Sequence, residues 1–144
     1  MNDRRYPDRP LVGVGAVVIG AEGILLIQRG KPPRAGSWSL PGGAQELGET
    51  VIEAGRREIQ EETGLDTDIL GLVDVVDSIR KDADGGIEYH YTLVDVAARV
   101  TGGTLHAGGD ARDARWFSEP EIAAMDLWSE TKRVITLALD KYGR

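Results

Sequence analysis

Apolar residues along the chain recur with two different periods, one typical of strands and one typical of a helix. The helical spacing predicts a helix over Val51–Thr63. Thr50 and Glu53 have the spacing of a capping box at its start, and Gly64 suits the left-handed residue that ends a helix. Runs rich in β-branched residues between turn signals predict strands. The predicted strands are Leu11–Ile19, Ile24–Arg29, Asp68–Arg80, Ile87–Arg99 and Ala114–Phe117.

The order of these elements indicates an α/β (α+β) fold in one domain. Two strands precede the helix and two longer strands follow it, which fits a mixed β-sheet packed between helices. A second capping box, Ser118 with Glu121, predicts a short helix, and the last helix is expected to begin at Ser129. Residues 11–144 are therefore predicted to form a single domain. Residues 1–10 are polar and contain two prolines, so they are predicted to be a flexible N-terminal arm.

Three carboxylates interrupt the apolar side of the predicted central helix. On a helical wheel Glu58, Glu61 and Glu62 fall within about 100° of the apolar residues. Carboxylates that face a core are costly unless a cation compensates them, and at this spacing they also repel one another. Oxygen ligands of this charge suit a hard divalent ion such as Mg²⁺ or Mn²⁺. The alternative is a solvated charged helix in which Arg57 pairs with Glu61.

Composition narrows the possible functions. The formal net charge of −7 opposes binding of a nucleic-acid polymer, which requires a basic surface. The absence of cysteine excludes disulfides and a cysteine nucleophile, and the two histidines are too few for a histidine-rich metal site. No signal peptide or membrane-spanning apolar run is visible, so we expect a cytoplasmic protein without a membrane partner.

The segment from residue 43 to residue 65 resembles the signature of the Nudix hydrolase family. That signature is G-x5-E-x7-R-E-U-x-E-E-x-G-U, where U is apolar. The resemblance implies a Nudix-type α-β-α sandwich and an enzyme that hydrolyses a nucleoside diphosphate linked to another group. It also implies Mg²⁺ as cofactor, for which Mn²⁺ can substitute. The matching positions are Gly43, Glu49, Arg57, Glu58, Ile59, Glu61, Glu62, Gly64 and Leu65.

The resemblance also implies roles for individual residues. Arg57 is expected to orient Glu49 and Glu58, and the water-activating base is either Glu61 or Asp110, with Asp113 as a further alternative. Glycine at position 42 lets the backbone approach a metal, which makes its carbonyl a candidate ligand. The candidate metal ligands are Glu58, Glu61, Glu62 and Gly42. The candidate catalytic residues are Glu61, Arg57, Glu49 and Asp110.

The chain also resembles the short bacterial ADP-ribose pyrophosphatase branch of the family, in the segments Arg9–Val18, Arg29–Pro33, Trp38–Gly43, Tyr89–Tyr91 and Asp110–Trp116. The expected partner is therefore a small nucleotide, with ADP-ribose giving AMP and ribose 5-phosphate. Arg29 and Arg34 are candidate contacts to its phosphates, and Trp38 either contacts the substrate or packs in the core. The alternatives are a MutT-like nucleoside triphosphate pyrophosphatase and a non-catalytic nucleotide sensor. Family members are often dimers, so a homodimer is possible.

Overall fold

The computed structural model describes residues 4–32 and 34–143. These residues form seven strands, three α-helices and one π-helical turn. The strands are β1 (Leu11–Gly20), β2 (Gly23–Arg29), β3 (Trp38–Ser39), β4 (Gly42–Ala44), β5 (Leu65–Lys81), β6 (Ile87–Gly103) and β7 (Ala111–Phe117). The helices are α1 (Val51–Thr63), α2 (Glu119–Ala124) and α3 (Ser129–Ala138), and α3 continues into the π-helical turn Leu139–Gly143.

The seven strands form one mixed sheet. Its main order is β3-β2-β1-β6-β5, and β4 and β7 pair with β1 and β2 respectively. Only β1 and β6 run parallel among the strands of the described residues. Strand β1 pairs with different strands along its length. Gly20 pairs with Gly23 of β2, and Gly15 pairs with Gly42 of β4. As a result, β4 leads directly from the sheet into the segment that precedes α1.

Helices cover both faces of this sheet. Val14 of β1 belongs to a buried cluster with Ile59 of α1. Val17 of the same strand belongs to a second buried cluster, with Val134 of α3. Odd and even positions of a strand point to opposite faces, so β1 contributes to both cores. The predicted α-β-α sandwich with a mixed sheet is confirmed.

The predicted boundaries and caps of α1 are confirmed. Thr50 Oγ1 accepts a hydrogen bond from Glu53 N–H at 3.1 Å, and Glu53 Oε1 accepts one from Thr50 N–H at 2.9 Å. Gly64 adopts a φ of 75° and its N–H donates to Gln60 O at 2.9 Å. The local sequence therefore fixes both ends of the helix that carries the three carboxylates.

The strands extend beyond the predicted limits. Strand β6 continues to Gly103 and β7 begins at Ala111, so the predicted loop between them is shorter. The short strands β3 and β4 were not predicted, because two or three residues carry too little alternation to show a period. Pairing with β2 and β1 forms them instead. Strands β1 and β2 each extend one residue beyond the predicted limits into their connecting turn, because Gly20 pairs with Gly23.

The described part of the N-terminal arm contacts the end of the β5–β6 hairpin. Tyr6 N–H donates to Glu88 O at 2.7 Å, and the Tyr6 hydroxyl donates to Asp82 at 2.8 Å. Arg5 pairs with Glu88 at 3.1 Å. Residues 1–3 of the predicted arm lie outside the described residues. None of the helices in the described part of the chain is both long and apolar enough to cross a membrane.

Candidate active site

Arg57 joins the segment before α1 to the helix itself. Its Nε lies 2.5 Å from Glu49 Oε2 and its NH2 nitrogen lies 3.0 Å from Glu49 Oε1, which is a bidentate contact. The same NH2 nitrogen donates to Ala44 O at 3.1 Å. Its NH1 nitrogen donates to Glu58 at 2.8 Å and to Glu61 at 3.3 Å. One guanidinium thus holds three carboxylates and a backbone carbonyl in a fixed arrangement.

The contact between Arg57 and Glu49 changes the acidity of both groups. Hydrogen bonding to the guanidinium, with a further hydrogen bond from Glu46 N–H, lowers the pKa of Glu49 to about 2. Hydrogen bonding to Glu49 also raises the pKa of Arg57. Glu49 therefore remains ionised near neutral pH, and its carboxylate is bound on both oxygens by Arg57 and the Glu46 N–H.

Glu62 is the most deeply buried of the three predicted carboxylates. It is 6% exposed, and its Oε1 accepts a hydrogen bond from Gly42 N–H at 2.7 Å. Burial raises its pKa to about 8, and the charges of Glu58 and Asp110 act in the same direction. Arg29 favours the ionised form, but the described residues place no side-chain cation within ion-pair distance of Glu62. Among the described residues, Glu62 is thus a buried acid whose charge is favoured by the Gly42 N–H and by Arg29 but is not matched by an ion pair.

Glu58 lies directly over Gly43 of β4. A Cβ atom at Gly43 would come within 2.6 Å of the Glu58 carboxyl carbon, so the absence of a side chain there makes room for the carboxylate. The Glu58 side chain is 14% exposed, and burial raises its pKa although Arg57 opposes the shift. The two glycines of β4 therefore meet two different carboxylates, Gly43 by contact with Glu58 and Gly42 by hydrogen bonding to Glu62.

The helical wheel places Glu61 and the apolar Ile52 on the inward side, within about 100° of Val51, and it is wrong for both. The Glu61 side chain is 51% exposed and Ile52 is 54% exposed. Glu61 lies at one edge of the predicted arc and Ile52 lies in the first turn of the helix, whereas the buried residues of the helix are Ala54, Gly55, Ile59, Glu62 and Thr63. Glu61 therefore has features of both alternatives predicted from sequence, the cluster of metal-binding carboxylates and the solvated charged helix. It lies beside the buried acids but pairs with Arg57 at the surface.

Two loops bring further charged residues near Glu62. Lys31 Nζ lies 2.9 Å from Asp110 Oδ1, and Gly30 N–H donates to Asp110 O at 2.9 Å. Both side chains are largely exposed, which leaves Asp110 accessible to water. Asp113 points elsewhere, because its carboxylate accepts from Ala114 N–H and from Arg115. Of the two aspartates considered as a base, Asp110 is the one that influences Glu62.

Arg34 and Trp38 occupy different surroundings from the carboxylates. Arg34 is an exposed turn residue with a φ of 62°, and its carbonyl accepts from the Ser37 N–H and hydroxyl at 3.0 and 2.7 Å. Trp38 packs edge-on against Phe117 with ring centroids 5.1 Å apart, and the Arg115 guanidinium lies 5.0 Å from its ring. The packing alternative for Trp38 thus has direct contacts in its favour, and substrate contact stays a prediction for both residues.

Comparison with known proteins identifies the family. The family model of the NUDIX domain matches residues 9–138. The chain belongs to the Nudix family. An ADP-ribose pyrophosphatase of Methanocaldococcus jannaschii is 42% identical over 108 residues, which are 75% of this chain and 62% of that protein. This chain therefore spans less than two thirds of that relative's length.

Other Nudix relatives carry different names. A putative 8-oxo-dGTP diphosphatase 2 of Mycobacterium tuberculosis is 35% identical over 117 residues, covering 81% of this chain and 78% of the relative. The crystal structure of a MutT NUDIX hydrolase from Burkholderia pseudomallei superimposes with a TM-score of 0.78 at 31% identity, covering 90% of this chain and 98% of that one. The Nudix fold is therefore shared over nearly the whole chain, whereas the relatives' names differ in substrate.

The carboxylate oxygens of the Nudix helix are the type of ligand that suits a hard cation, but the side chains of the described residues are not arranged around a common point. No three His, Asp or Glu side chains within residues 4–32 and 34–143 converge closely enough to hold a metal ion. Glu58 and Glu61 instead accept hydrogen bonds from Arg57, and Glu62 accepts one from Gly42. The donors are nonetheless all oxygens, and the buried Glu62 carboxylate is an anion that needs a cation. Gly42 was predicted to offer its carbonyl to a metal. The contact in the structure instead uses its N–H, which donates to Glu62.

Sequence reasoning missed two features of the Nudix site and its surroundings. The ion pair between Lys31 and Asp110, which joins two loops, was not predicted. Asp95 of β6 was not considered, although it is 5% exposed and burial raises its pKa to about 6. A single aspartate in the apolar run from Val94 to Ala98 was the signal that could have identified it.

Proposed function

We propose that this Nudix protein hydrolyses a nucleoside diphosphate linked to another group, with ADP-ribose as its substrate. The reaction adds water across the diphosphate and releases AMP and ribose 5-phosphate. The name of the Methanocaldococcus jannaschii relative supports this substrate. This chain covers 62% of that relative's length, so its hydrolytic activity on ADP-ribose is itself part of the proposal.

The observation that carries the proposal is the buried carboxylate of Glu62 beside Glu58, which forms no ion pair with any of the described residues. Burying an acid without a cation lowers stability, so its retention is best explained by a ligand that supplies the charge. Mg²⁺, or Mn²⁺ in its place, is the cofactor that such oxygen ligands suit. Glu58, Glu61 and Glu62 would hold it, with the Gly42 carbonyl as a further candidate.

Protein groups position the reactants rather than form covalent bonds with them. The chemistry that a bound divalent ion supplies is charge neutralisation on the diphosphate and activation of water. Arg57 fixes the orientation of Glu58 through the contact at 2.8 Å and is itself fixed by Glu49. Arg29 lies close enough to influence Glu62 electrostatically, so it can also contribute charge to the binding of phosphate oxygens.

Two residues are candidates for the base that accepts the proton of the attacking water. Glu61 is half-exposed and adjoins the buried acids, and Asp110 is exposed in a loop close to Glu62. The substitutions Glu61→Gln and Asp110→Asn separate them, because loss of the base lowers kcat by about 10²- to 10⁴-fold. Asp126→Asn, at an exposed position outside the site, is the matched control.

A second candidate function is pyrophosphate release from a nucleoside triphosphate, as in MutT-like enzymes. The name of the Mycobacterium tuberculosis relative supports it, since the chain covers 78% of that protein. The same carboxylates would serve both reactions, because both cleave a phosphoanhydride beside a divalent ion. The products differ: ADP-ribose gives AMP, and a dNTP gives dNMP and pyrophosphate.

The decisive experiment is a hydrolysis panel with product identification in Mg²⁺ and in Mn²⁺. The panel contains ADP-ribose, other nucleotide sugars, dinucleotides, dNTPs and 8-oxo-dGTP. Formation of AMP and ribose 5-phosphate is the expected result, and absence of ADP-ribose cleavage with turnover of a dNTP would favour the second candidate. Glu62→Gln should reduce turnover by orders of magnitude while the protein stays folded.

The control for that variant is Glu22→Gln, which changes an exposed glutamate in the β1–β2 turn. It should leave turnover unchanged. Unchanged turnover in Glu62→Gln would remove the metal assignment. A protein that binds ADP-ribose but turns over nothing in the panel would instead be the non-catalytic sensor.

A further inference from the structure

The described part of the N-terminal arm is fastened to the end of the β5–β6 hairpin. Tyr6 donates a backbone hydrogen bond to Glu88 O at 2.7 Å and a hydroxyl hydrogen bond to Asp82 at 2.8 Å. Arg5 pairs with the Glu88 carboxylate at 3.1 Å. These contacts join segments that are far apart in sequence, so they fix the place of the arm on the domain.

An open cavity of about 420 Å³ lies where the arm meets the segment that follows β4. Its walls are mostly aliphatic, and their apolar side chains come from the arm, from β1 and from the end of β4 onwards: Pro7, Leu11, Val12, Ala44 and Leu47. Two of these side chains are large and still reach solvent, since Val12 is 39% exposed and Leu47 is fully exposed. A cavity of this size with mainly apolar walls is typical of small-molecule sites and can accommodate a nucleobase.

This cavity adjoins the carboxylates of α1 through Arg57. Ala44 O belongs to the wall of the cavity and accepts a hydrogen bond from the Arg57 NH2 nitrogen at 3.1 Å. Glu46, also in the wall, lies 3.7 Å from the NH1 nitrogen that donates to Glu58. Val12 faces the α1 side of the sheet, because alternate residues further along β1 belong to the cluster that contains α1 residues. The cavity and the acids are therefore neighbours on the same face.

Arg4 is the cation in the wall of this cavity. Its side chain is exposed, and no ion pair within residues 4–32 and 34–143 includes it. Asp8, which also lines the cavity, is already paired with Arg9 at 3.2 Å. Burial raises the pKa of Glu58, and the charge of Arg4 is among the effects that oppose this shift, so the two groups lie within electrostatic reach. A phosphate beside the acids would give the Arg4 guanidinium a partner of opposite charge.

We propose that this cavity binds the nucleoside half of the substrate and that Arg4 is a substrate-binding residue, which contacts the phosphate attached to that nucleoside. The proposal rests on the nucleotide hydrolase function proposed above. The base packs against the aliphatic walls, and the diphosphate extends from Arg4 towards the acids of α1. The contacts of Tyr6 and Arg5 with the hairpin hold Arg4 in place, which makes the arm a part of the site.

The test separates the two halves of ADP-ribose by equilibrium titration with each product in Mg²⁺. AMP contains the nucleoside and its phosphate, and ribose 5-phosphate contains the other half. Arg4→Gln should raise the Kd of AMP and the KM of ADP-ribose about tenfold, because a charged hydrogen bond is lost. It should leave kcat and the Kd of ribose 5-phosphate nearly unchanged. Arg4→Lys should retain much of the AMP binding, because it keeps the charge.

The cavity itself is tested by Leu47→Ser, which shortens an exposed apolar wall without adding charge. This variant should weaken binding of AMP and leave that of ribose 5-phosphate unchanged. The matched control is Arg99→Gln, at an exposed position of β6 outside the cavity, which should change neither Kd.

Equal AMP binding by the wild-type protein and Arg4→Gln would overturn the proposal. A loss confined to ribose 5-phosphate would overturn it as well, because the cavity would then hold the other half of the substrate. If a dNTP is hydrolysed and ADP-ribose is not, the ADP-ribose assignment fails separately. The same titrations then compare dNMP, which carries the nucleoside, with pyrophosphate. If nothing in the panel is hydrolysed, the titrations with AMP still decide whether Arg4 binds a nucleotide.

Discussion

Arg57 and Glu49 form a bidentate contact across eight residues of sequence, with N–O distances of 2.5 and 3.0 Å. Glu49 belongs to the segment before α1, and Arg57 lies in the second turn of that helix. The contact therefore closes the segment onto the helix. It leaves the NH1 nitrogen of Arg57 directed at Glu58, so the position of Glu58 depends on a pair that need not touch the substrate.

We expect Arg57→Lys to lower kcat by about 10²-fold, because an ammonium cannot hold Glu49 and Glu58 in the same plane. Steady-state kinetics on the substrate identified by the hydrolysis panel measure the effect. Arg56→Lys is the control, since Arg56 is the exposed neighbour. Equal kinetics for both variants would show that the bidentate geometry does not matter for the reaction.

We expect Glu62→Gln to stabilise the metal-free protein. Burial raises the folded-state pKa of Glu62 to about 8, so the wild-type protein loses stability as pH rises from the unfolded-state pKa towards that value. At pH 7 the variant should gain about 3 kcal/mol in the free energy of unfolding. Denaturant titrations with a chelator at pH 5 and pH 7 measure it. A gain that does not grow with pH would contradict the assigned cause.

We expect Asp95→Asn to stabilise the protein at neutral pH. Burial raises the pKa of Asp95 to about 6, Asp74 adds to this shift, and Arg133 opposes it. The wild-type protein therefore loses stability as pH rises from the unfolded-state pKa to about 6, and the variant does not. The difference at pH 7 should be about 2 to 3 kcal/mol. Thermal unfolding of both proteins between pH 4 and pH 7 tests this, and a destabilised variant would mean that Asp95 has a native partner.

We expect Gly43→Ala to lower kcat by about 10²-fold with little loss of stability. The new Cβ would meet the Glu58 carboxylate, which is the end of a flexible side chain and can move away. Gly102→Ala is the matched control, because its nearest contact would be 3.6 Å away. Kinetics together with thermal unfolding separate the two effects. Full activity in Gly43→Ala would show that Glu58 is not held in a required position.

The central helix could be predicted from sequence because its determinants are local. Thr50 and Glu53 need only each other to cap the first turn, and Gly64 needs only its own conformational freedom. Strands β3 and β4 could not be predicted, because two or three residues become a strand only when β2 and β1 lie beside them. The exposure of Glu61 was mispredicted for a related reason, since a wheel shows an arc but not how much of it packs.

The sequence by itself determined the family, the capped helix and the presence of three acids close together on it, because spacing along one helix follows from its pitch. Only the tertiary structure decided which acids are buried and what each one contacts. Glu62 meets Gly42 and Arg57 meets Glu49 because the paired strands carry distant segments to the helix. The surroundings of Asp95 were also decided by tertiary structure, because they are formed by β1 and by Leu40, which lie more than fifty residues earlier in the chain.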